Sequence, residues 1–331
     1  MIQVEMNDST SLDEKAQIDT LTLFTCPKPF TDPHMRQIQR NAIGSWLELK
    51  PRPDILLLGD EEGIAEAAAE FSVRHIPELE RNEYGTPLVS SIFKQAENAS
   101  SNSFLCYVNT DIILLSDFMK VVNRLAWHCH DEFLMVGQRW DVEINGRLNF
   151  ASVNWENDLQ RKVAKMGVLH AITGMDYFLF PRRFWSEIPP FALGRSAWDN
   201  WFVYRARAKG AVVIDATNAI TAVHQQHDYE HVLGGKAAAW AGPEAIRNRE
   251  LVGAKNLYFT VGDATHKIFR GSVVRNSDES SLEHRMRHQS VLDLKTNFIA
   301  KIRRLLLTLV YTYRNHLPNA LWRKTVYILS K

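Results

Sequence analysis

An α/β layer fold, with a mixed and mostly parallel sheet flanked by helices, is what most of this sequence predicts. Two observations carry the expectation. Short apolar runs alternate with helical periodicities from Leu21 to about Asn218, and the run Phe104–Val108 is continuously apolar, as a strand buried on both faces of a parallel sheet must be. With 331 residues, 45% of them hydrophobic, the chain can bury a large core.

The elements follow in order. Leu21–Cys26 reads as a first strand. Asp32-Pro33 opens a helix with Ile38, Ala42, Ile43 and Trp46 at helical spacing, stopped by Pro51 and Pro53. Asp54–Leu58 is a buried strand ending in Gly59-Asp60, and Glu61–Phe71 an alanine-rich helix led by acids that suit its positive end. Val73–Ile76 is a short strand, Pro87–Ala96 a helix, and Phe104–Val108 the central strand, followed at once by Asn109-Thr110-Asp111. Phe118–Trp127 is helical and Phe133–Val136 a strand. An irregular insertion of about forty residues, a candidate substrate-binding region, then precedes the strand Asp176–Phe180. Trp198–Lys209 is an amphipathic helix ended by Gly210, Val212–Ile214 a strand leading to His224, and Gly234–Gly242 a glycine- and alanine-rich loop.

Three stretches are expected along the chain. Residues 1–20 form a flexible N-terminus without the basic and apolar regions of a secretory signal. Residues 21–275 form the α/β domain. Residues 276–331 form a polar linker, Asn276 to about Ser290, and basic amphipathic helices. Lys295–Lys331 holds eight Lys or Arg and no acid, with Ile302, Leu305, Leu306, Leu309 and Val310 at helical spacing. Such a segment suits peripheral contact with an anionic membrane, or packing on the domain with its basic face in water.

Charge and cysteines narrow the function. The 39 basic and 38 acidic residues leave a net charge of +1, so no global field draws a polyanion and nucleic acid is not an expected partner. Cys26, Cys106 and Cys129 are odd in number and far apart, as reduced thiols in a cytoplasmic protein are. No apolar stretch reaches the ~20 residues that span a bilayer.

In an open α/β sheet ligands sit at the carboxyl ends of strands, so polar residues at strand exits carry the information. Asp111 follows the central strand directly and suits a hard cation such as Mg²⁺ or Mn²⁺; it also suits a turn cap. His224, His227, Asp228 and His231 put three imidazoles and a carboxylate within one short segment, a metal-capable composition. Asp199, in the run Ser196-Ala197-Trp198-Asp199-Asn200-Trp201, opens a helix whose dipole favours the ionised form, between rings that either exclude water or belong to the core. Gly174-Met175-Asp176 offers close backbone approach beside a polar group, or simply a turn. Arg139 and Asp141, at the exit of Phe133–Val136, are sugar contacts or a surface ion pair.

The ordered set Thr25…Phe30, Gly59-Asp60, Asn109-Thr110-Asp111, Trp198-Asp199-Asn200-Trp201 and the distal His224 resembles the GT-A glycosyltransferases, the nucleotide-diphospho-sugar transferase superfamily. The resemblance covers roughly Leu21 to Tyr229. It implies a GT-A-like sheet and transfer of a sugar from a nucleotide-diphosphate donor to a hydroxyl of a carbohydrate or lipid-linked acceptor, with inversion and with Mn²⁺ or Mg²⁺ as cofactor. Asn109-Thr110-Asp111 stands where the family has its DxD motif, the last position retained and the first an uncharged amide. By the same resemblance Thr25, Lys28, Phe30, Asp60, Asn109 and Asp111 bind nucleotide, Asp111 and His224 hold metal, and Asp199 is the catalytic base; His227 joins the metal candidates by the composition of its segment. Arg139, Gly174, Asp176, Trp198 and Asn200 are the expected substrate contacts. A nucleotidyltransferase would share the sheet, but Cys26-Pro27-Lys28-Pro29-Phe30 lacks the glycines of a phosphate loop. A noncatalytic sugar-nucleotide binder is the second alternative, and a glycoside hydrolase, for which no carboxylate pairs with Asp199, the third.

Overall fold

The computed structural model describes residues 21–128, 132–227, 240–253 and 258–292. The expectations for residues 1–20, Cys129, Asp228, His231, 234–239 and 295–331 lie outside the described residues. Among the described residues no helix is long and apolar enough to cross a membrane.

The chain begins with a strand β1 (Leu21–Thr25), a helix α1 (Pro33–Leu47), β2 (Asp54–Leu58), α2 (Ile64–Phe71), β3 (Arg74–Ile76), α3 (Val89–Ala99) and β4 (Phe104–Val108). It continues through β5 (Ile112–Ile113), α4 (Ser116–His128), β6 (Phe133–Val136), β7 (Trp140–Val142), α5 (Trp155–Met166), β8 (Val168–Leu169) and β9 (Tyr177–Pro181). Then come α6 (Trp198–Ala208), β10 (Val212–Asp215), β11 (Val223–Gln225), α7 (Pro243–Val252), a 3₁₀ turn (Val261–Asp263), β12 (His266–Phe269), β13 (Ser272–Arg275) and α8 (Glu279–Leu292).

The main sheet runs β13-β12-β10-β6-β9-β4-β1-β2-β3. Its pairs are parallel except those of β9 with β4 and β6 and of β12 with β13. This is the mixed, mostly parallel sheet with flanking helices that the sequence predicts. One face carries Leu23, Ile43, Trp46, Leu57 and Phe118. The other carries an aromatic cluster in which Phe93 stacks on Phe202 at 4.7 Å, with Tyr107, Phe178 and Trp198 around it. Strand β4 contributes to both faces and is buried throughout, as its unbroken apolar run requires.

Local chemistry sets several boundaries. Asp32 caps α1 by accepting from the Met35 amide at 2.7 Å, with Pro33 in the first turn. Helix α2 starts later than predicted, at Ile64, because Gly63 enters the left-handed region at φ 85°. Glu61 therefore precedes the helix and pairs with Arg81 instead of facing the helix dipole. Most of the stretch read as a linker, from Glu279 on, forms α8, which packs on the Val261–Asp263 turn. His224 does not sit at the exit of the Val212–Asp215 strand. It lies within a strand of its own, β11, in a second sheet of order β5-β11-β7-β8.

That small sheet positions the site. Its register sets His224 opposite both Ile112 and Asp141. Gln225 locks it to α1 and to the β4–β5 turn: Asn41 donates to its Oε1 at 3.0 Å, its Nε2 donates to the Ile38 carbonyl at 2.8 Å, and its backbone amide donates to the Asp111 carbonyl at 3.2 Å. Trp46 Nε1 donates to the Ile112 carbonyl at 3.0 Å. Each of these buried polar groups is satisfied, which makes the turn carrying Asp111 rigid.

Candidate metal and nucleotide site

The turn after β4 sends Asp111 toward β11 and the segment that follows it. Asp111 Oδ2 lies 3.0 Å from His227 Nε2 and 3.8 Å from His224 Nε2, so the three side chains converge on one point. Among the described residues the other oxygen, Asp111 Oδ1, is buried without a hydrogen-bond partner. A buried carboxylate oxygen left bare beside two imidazoles costs stability unless something of positive charge meets it. The residues present thus fit a divalent cation, with Asp111, His224 and His227 as its protein ligands. Burial alone would push the Asp111 carboxyl up, but the hydrogen bond from His227 and the nearby charges of His224 and Lys28 hold it well below the usual range.

Behind His224 stands a second carboxylate. Asp141 Oδ1 lies 3.0 Å from His224 Nδ1 and 3.0 Å from Arg139 Nε, and its Oδ2 lies 2.6 Å from His170 Nδ1. A proton on His224 Nδ1 bound to Asp141 leaves Nε2, the nitrogen facing Asp111, with its lone pair free. Burial raises the Asp141 carboxyl, and the bonds from His224 and His170, with Arg139, outweigh it and lower it. Arg139 also pairs with Asp176 at 2.8 Å, and Asn109 Nδ2 donates to the other Asp176 oxygen at 2.6 Å. Asn109 is thus tied sideways to Asp176 rather than turned toward Asp111.

Lys28 follows β1, its backbone held at both amide and carbonyl by Gln39 at 2.7 and 2.9 Å. Burial lowers the Lys28 ammonium from its usual value, while the charges of Asp111 and Asp176 work to raise it. Among the described residues it makes no ion pair, and it stands near enough to Asp111 and Asp176 for their charges to act on it. Asp199 opens α6 close enough to Asp176 to feel its charge, and its Oδ1 accepts from the Asn200 amide at 2.9 Å. The expectation that the helix dipole would dominate Asp199 is corrected: burial wins and pushes the carboxyl up to about 6.

The remaining predicted residues are placed as follows. Thr25 is fully buried and bonds the Thr110 hydroxyl at 2.8 Å, which ties the β1 exit to the β4 turn. Phe30 packs in the core near Gly63, with the Arg40 guanidinium 5.4 Å from its ring centre. Asp60 is exposed and paired with Arg81. Trp198 meets the Tyr107 ring edge-on at 5.4 Å within the aromatic core, and Asn200 Nδ2 donates to the Phe259 carbonyl at 2.8 Å. At Gly174 the close approach is made by a side chain: a β-carbon there would lie 2.4 Å from His170 Cδ2. The structure therefore brings together Lys28, Asn109, Asp111, Arg139, Asp176, His224 and His227, with Asp199 beside them, and sets Thr25, Phe30, Asp60, Trp198 and Asn200 in supporting contacts.

No protein-family model and no curated protein matches this sequence. Solved structures resemble its fold. TarS from S. aureus is 9% identical, with 89% of this chain and 72% of that chain covered and a TM-score of 0.40. Glucosyl-3-phosphoglycerate synthase from Mycobacterium tuberculosis, in complex with Mn²⁺, uridine diphosphate and phosphoglyceric acid, is 12% identical over 63% of this chain and 71% of that chain, with a TM-score of 0.37. GalNAc-T7 with UDP, GalNAc and Mn²⁺ is 13% identical over 70% of this chain and 48% of that chain, with a TM-score of 0.44.

Sequence reasoning missed His170 and the second role of Asp141. His170 sits just past β8, a strand of two residues with no apolar alternation to mark it. The available signal was Gly174 four residues on, a glycine whose missing side chain makes room for a ring.

Proposed function

We propose that this protein is a divalent-cation-dependent glycosyltransferase of the GT-A type, which moves a hexosyl group from a nucleotide-diphosphate donor to an acceptor hydroxyl with inversion at the anomeric carbon. The observation that carries the reading is the buried Asp111 Oδ1, without a hydrogen-bond partner among the described residues, beside His224 and His227 at the exit of the central strand. A binding crevice in such a sheet opens at that end of the strands. Two imidazoles and one carboxylate suit Mn²⁺ better than Mg²⁺, which favours an all-oxygen shell. When bound, the ion neutralises the charge that develops on the departing diphosphate.

The chain's own residues do the rest. Lys28 supplies a second, desolvated positive charge near the diphosphate oxygens, where a low dielectric strengthens it. Arg139 and Asn109 hold Asp176 by both oxygens, so that this carboxylate presents a fixed face to the sugar hydroxyls. Asp199 takes the proton of the acceptor hydroxyl as the acceptor oxygen bonds to the anomeric carbon and the bond to the diphosphate oxygen breaks. A carboxyl at about 6 is ionised at neutral pH yet more basic than an ordinary aspartate.

The test is a panel of nucleoside-diphosphate sugars incubated with the purified protein and Mn²⁺, with free nucleotide as the readout. Release from at least one donor, lost on chelation and in Asp111→Ala, is expected. No release from any donor contradicts the reading.

A further inference from the structure

Away from the Asp111 site, and sharing no residue with it, a second set of metal-capable side chains converges where α8 meets the Val261–Asp263 turn. Asp263 is fully buried. Its Oδ2 lies 3.0 Å from His284 Nε2, and its Oδ1 lies 3.0 Å from His288 Nδ1. The two histidines are four residues apart on one helix, so both rings leave the same face, edge to face at 4.5 Å. The turn is built to present the carboxylate. Asp263 Oδ2 accepts the Thr260 amide at 2.9 Å, and Thr260 Oγ1 lies 3.1 Å from His284 Nε2. Gly262 is required by the fit, since a β-carbon there would stand 2.8 Å from the His284 ring.

Charge and donor type indicate which ion would enter. Arg207 and Arg285 flank the turn, but Arg207 donates to the Asp263 backbone carbonyl and Arg285 to those of Ala264 and Asn276. Neither guanidinium takes the carboxylate, whose oxygens remain turned to the imidazoles. The carboxylate is fully buried and held between the two imidazoles, within hydrogen-bond distance of both. Two nearby cations disfavour a hard ion drawn by charge alone. Two nitrogen donors favour one that forms strong bonds to imidazole.

We propose that Asp263, His284 and His288 form a second metal site, which binds a zinc-class transition-metal dication and clamps α8 to the Val261–Asp263 turn. Ligand atoms at about 2.0–2.1 Å around a tetrahedral centre lie about 3.3 Å apart, so the 3.0 and 3.1 Å separations of Asp263 Oδ2 from His284 Nε2 and His288 Nδ1 need open by only a few tenths of an ångström. Three protein ligands leave a fourth position, beside Thr260 Oγ1.

The experiment loads the full chain with Co²⁺ as a spectroscopic probe and with Zn²⁺, and measures bound equivalents and the thermal midpoint. With the first site removed by Asp111→Ala in every chain compared, His284→Gln with His288→Gln should bind one equivalent fewer than Asp111→Ala alone and lose the Zn²⁺-dependent rise in midpoint. Asp111→Ala should keep both that equivalent and that rise. Asp263→Asn, which preserves the shape of the turn, should lose them as the histidine pair does. With Asp111→Ala present throughout, equal stoichiometry with and without the histidine substitutions, or a Zn²⁺-dependent midpoint that survives both the histidine substitutions and Asp263→Asn, would overturn the proposal and leave the cluster a hydrogen-bonded helix clip. Failure of sugar-nucleotide turnover would not bear on it, because Asp111 and Asp263 belong to separate clusters.

Discussion

Replacing Asp199 with asparagine keeps the side chain's shape and its contact with the Asn200 amide while removing the group that would accept the acceptor's proton. A positioned general base contributes roughly 100- to 10,000-fold, so transfer should fall by that factor while nucleotide affinity stays nearly constant. The pH profile is more diagnostic. Burial pushes the Asp199 carboxyl up to about 6, so the ionised base is lost as pH falls through that value rather than through the ordinary aspartate range. At pH 5 only about a tenth of the molecules would carry it, against more than nine-tenths for an unshifted carboxyl. Initial transfer rates should therefore fall about tenfold in all between pH 8 and pH 5, most of it below pH 7, and Asp199→Asn should flatten that limb. The stability linkage has the opposite sign. A carboxyl raised in the folded state costs stability as pH rises through the ordinary and then the raised value, so the asparagine variant should be at least as stable at neutral pH. An unchanged rate, or an acid limb that persists in the variant, would refute the assignment.

Three further substitutions test the scaffold. Asp141→Asn keeps a hydrogen-bonding shape but removes the charge that fixes His224, and Mn²⁺ affinity measured by calorimetry should drop about 10- to 100-fold with the circular dichroism unchanged. Gly174→Ala drives a β-carbon into the His170 ring; it should cost about 1–3 kcal/mol in urea unfolding and weaken Mn²⁺ binding through Asp141. Trp46→Phe removes the donor to the Ile112 carbonyl and should cost about 1–2 kcal/mol by denaturant titration, with a matching loss only if the β4–β5 turn depends on that bond.

Where the sequence was informative, the physics was local. The first half of the sheet could be read because β1, β2 and β3 are each followed by a helix and β1, β2 and β4 are short, mostly apolar, buried runs, and Asp111 stood out because it follows such a strand. His224 and His227 stood out by composition. What could not be read is non-local. Strands β5, β7, β8 and β11 have two or three residues each and exist only by pairing across the chain, so Asp141 and His224 become neighbours through register and not through spacing. The antiparallel β9 looks like any other apolar strand until its partners are known. Helix α8 reads as a linker in the sequence because its residues are mostly polar, and its place is fixed by His284 and His288 meeting a buried Asp263.

The most direct test of the Asp111 site is calorimetric titration of a nucleoside diphosphate with and without Mn²⁺, in the unaltered chain and in Asp111→Ala. Because the site offers one carboxylate and two neutral-capable imidazoles, with Asn109 turned away to Asp176, metal and diphosphate should each bind weakly alone and tighten one another by the same factor. That coupling should vanish in Asp111→Ala. Nucleotide affinity that is indifferent to Mn²⁺ in the unaltered chain, or coupling that survives the loss of Asp111, would contradict the account.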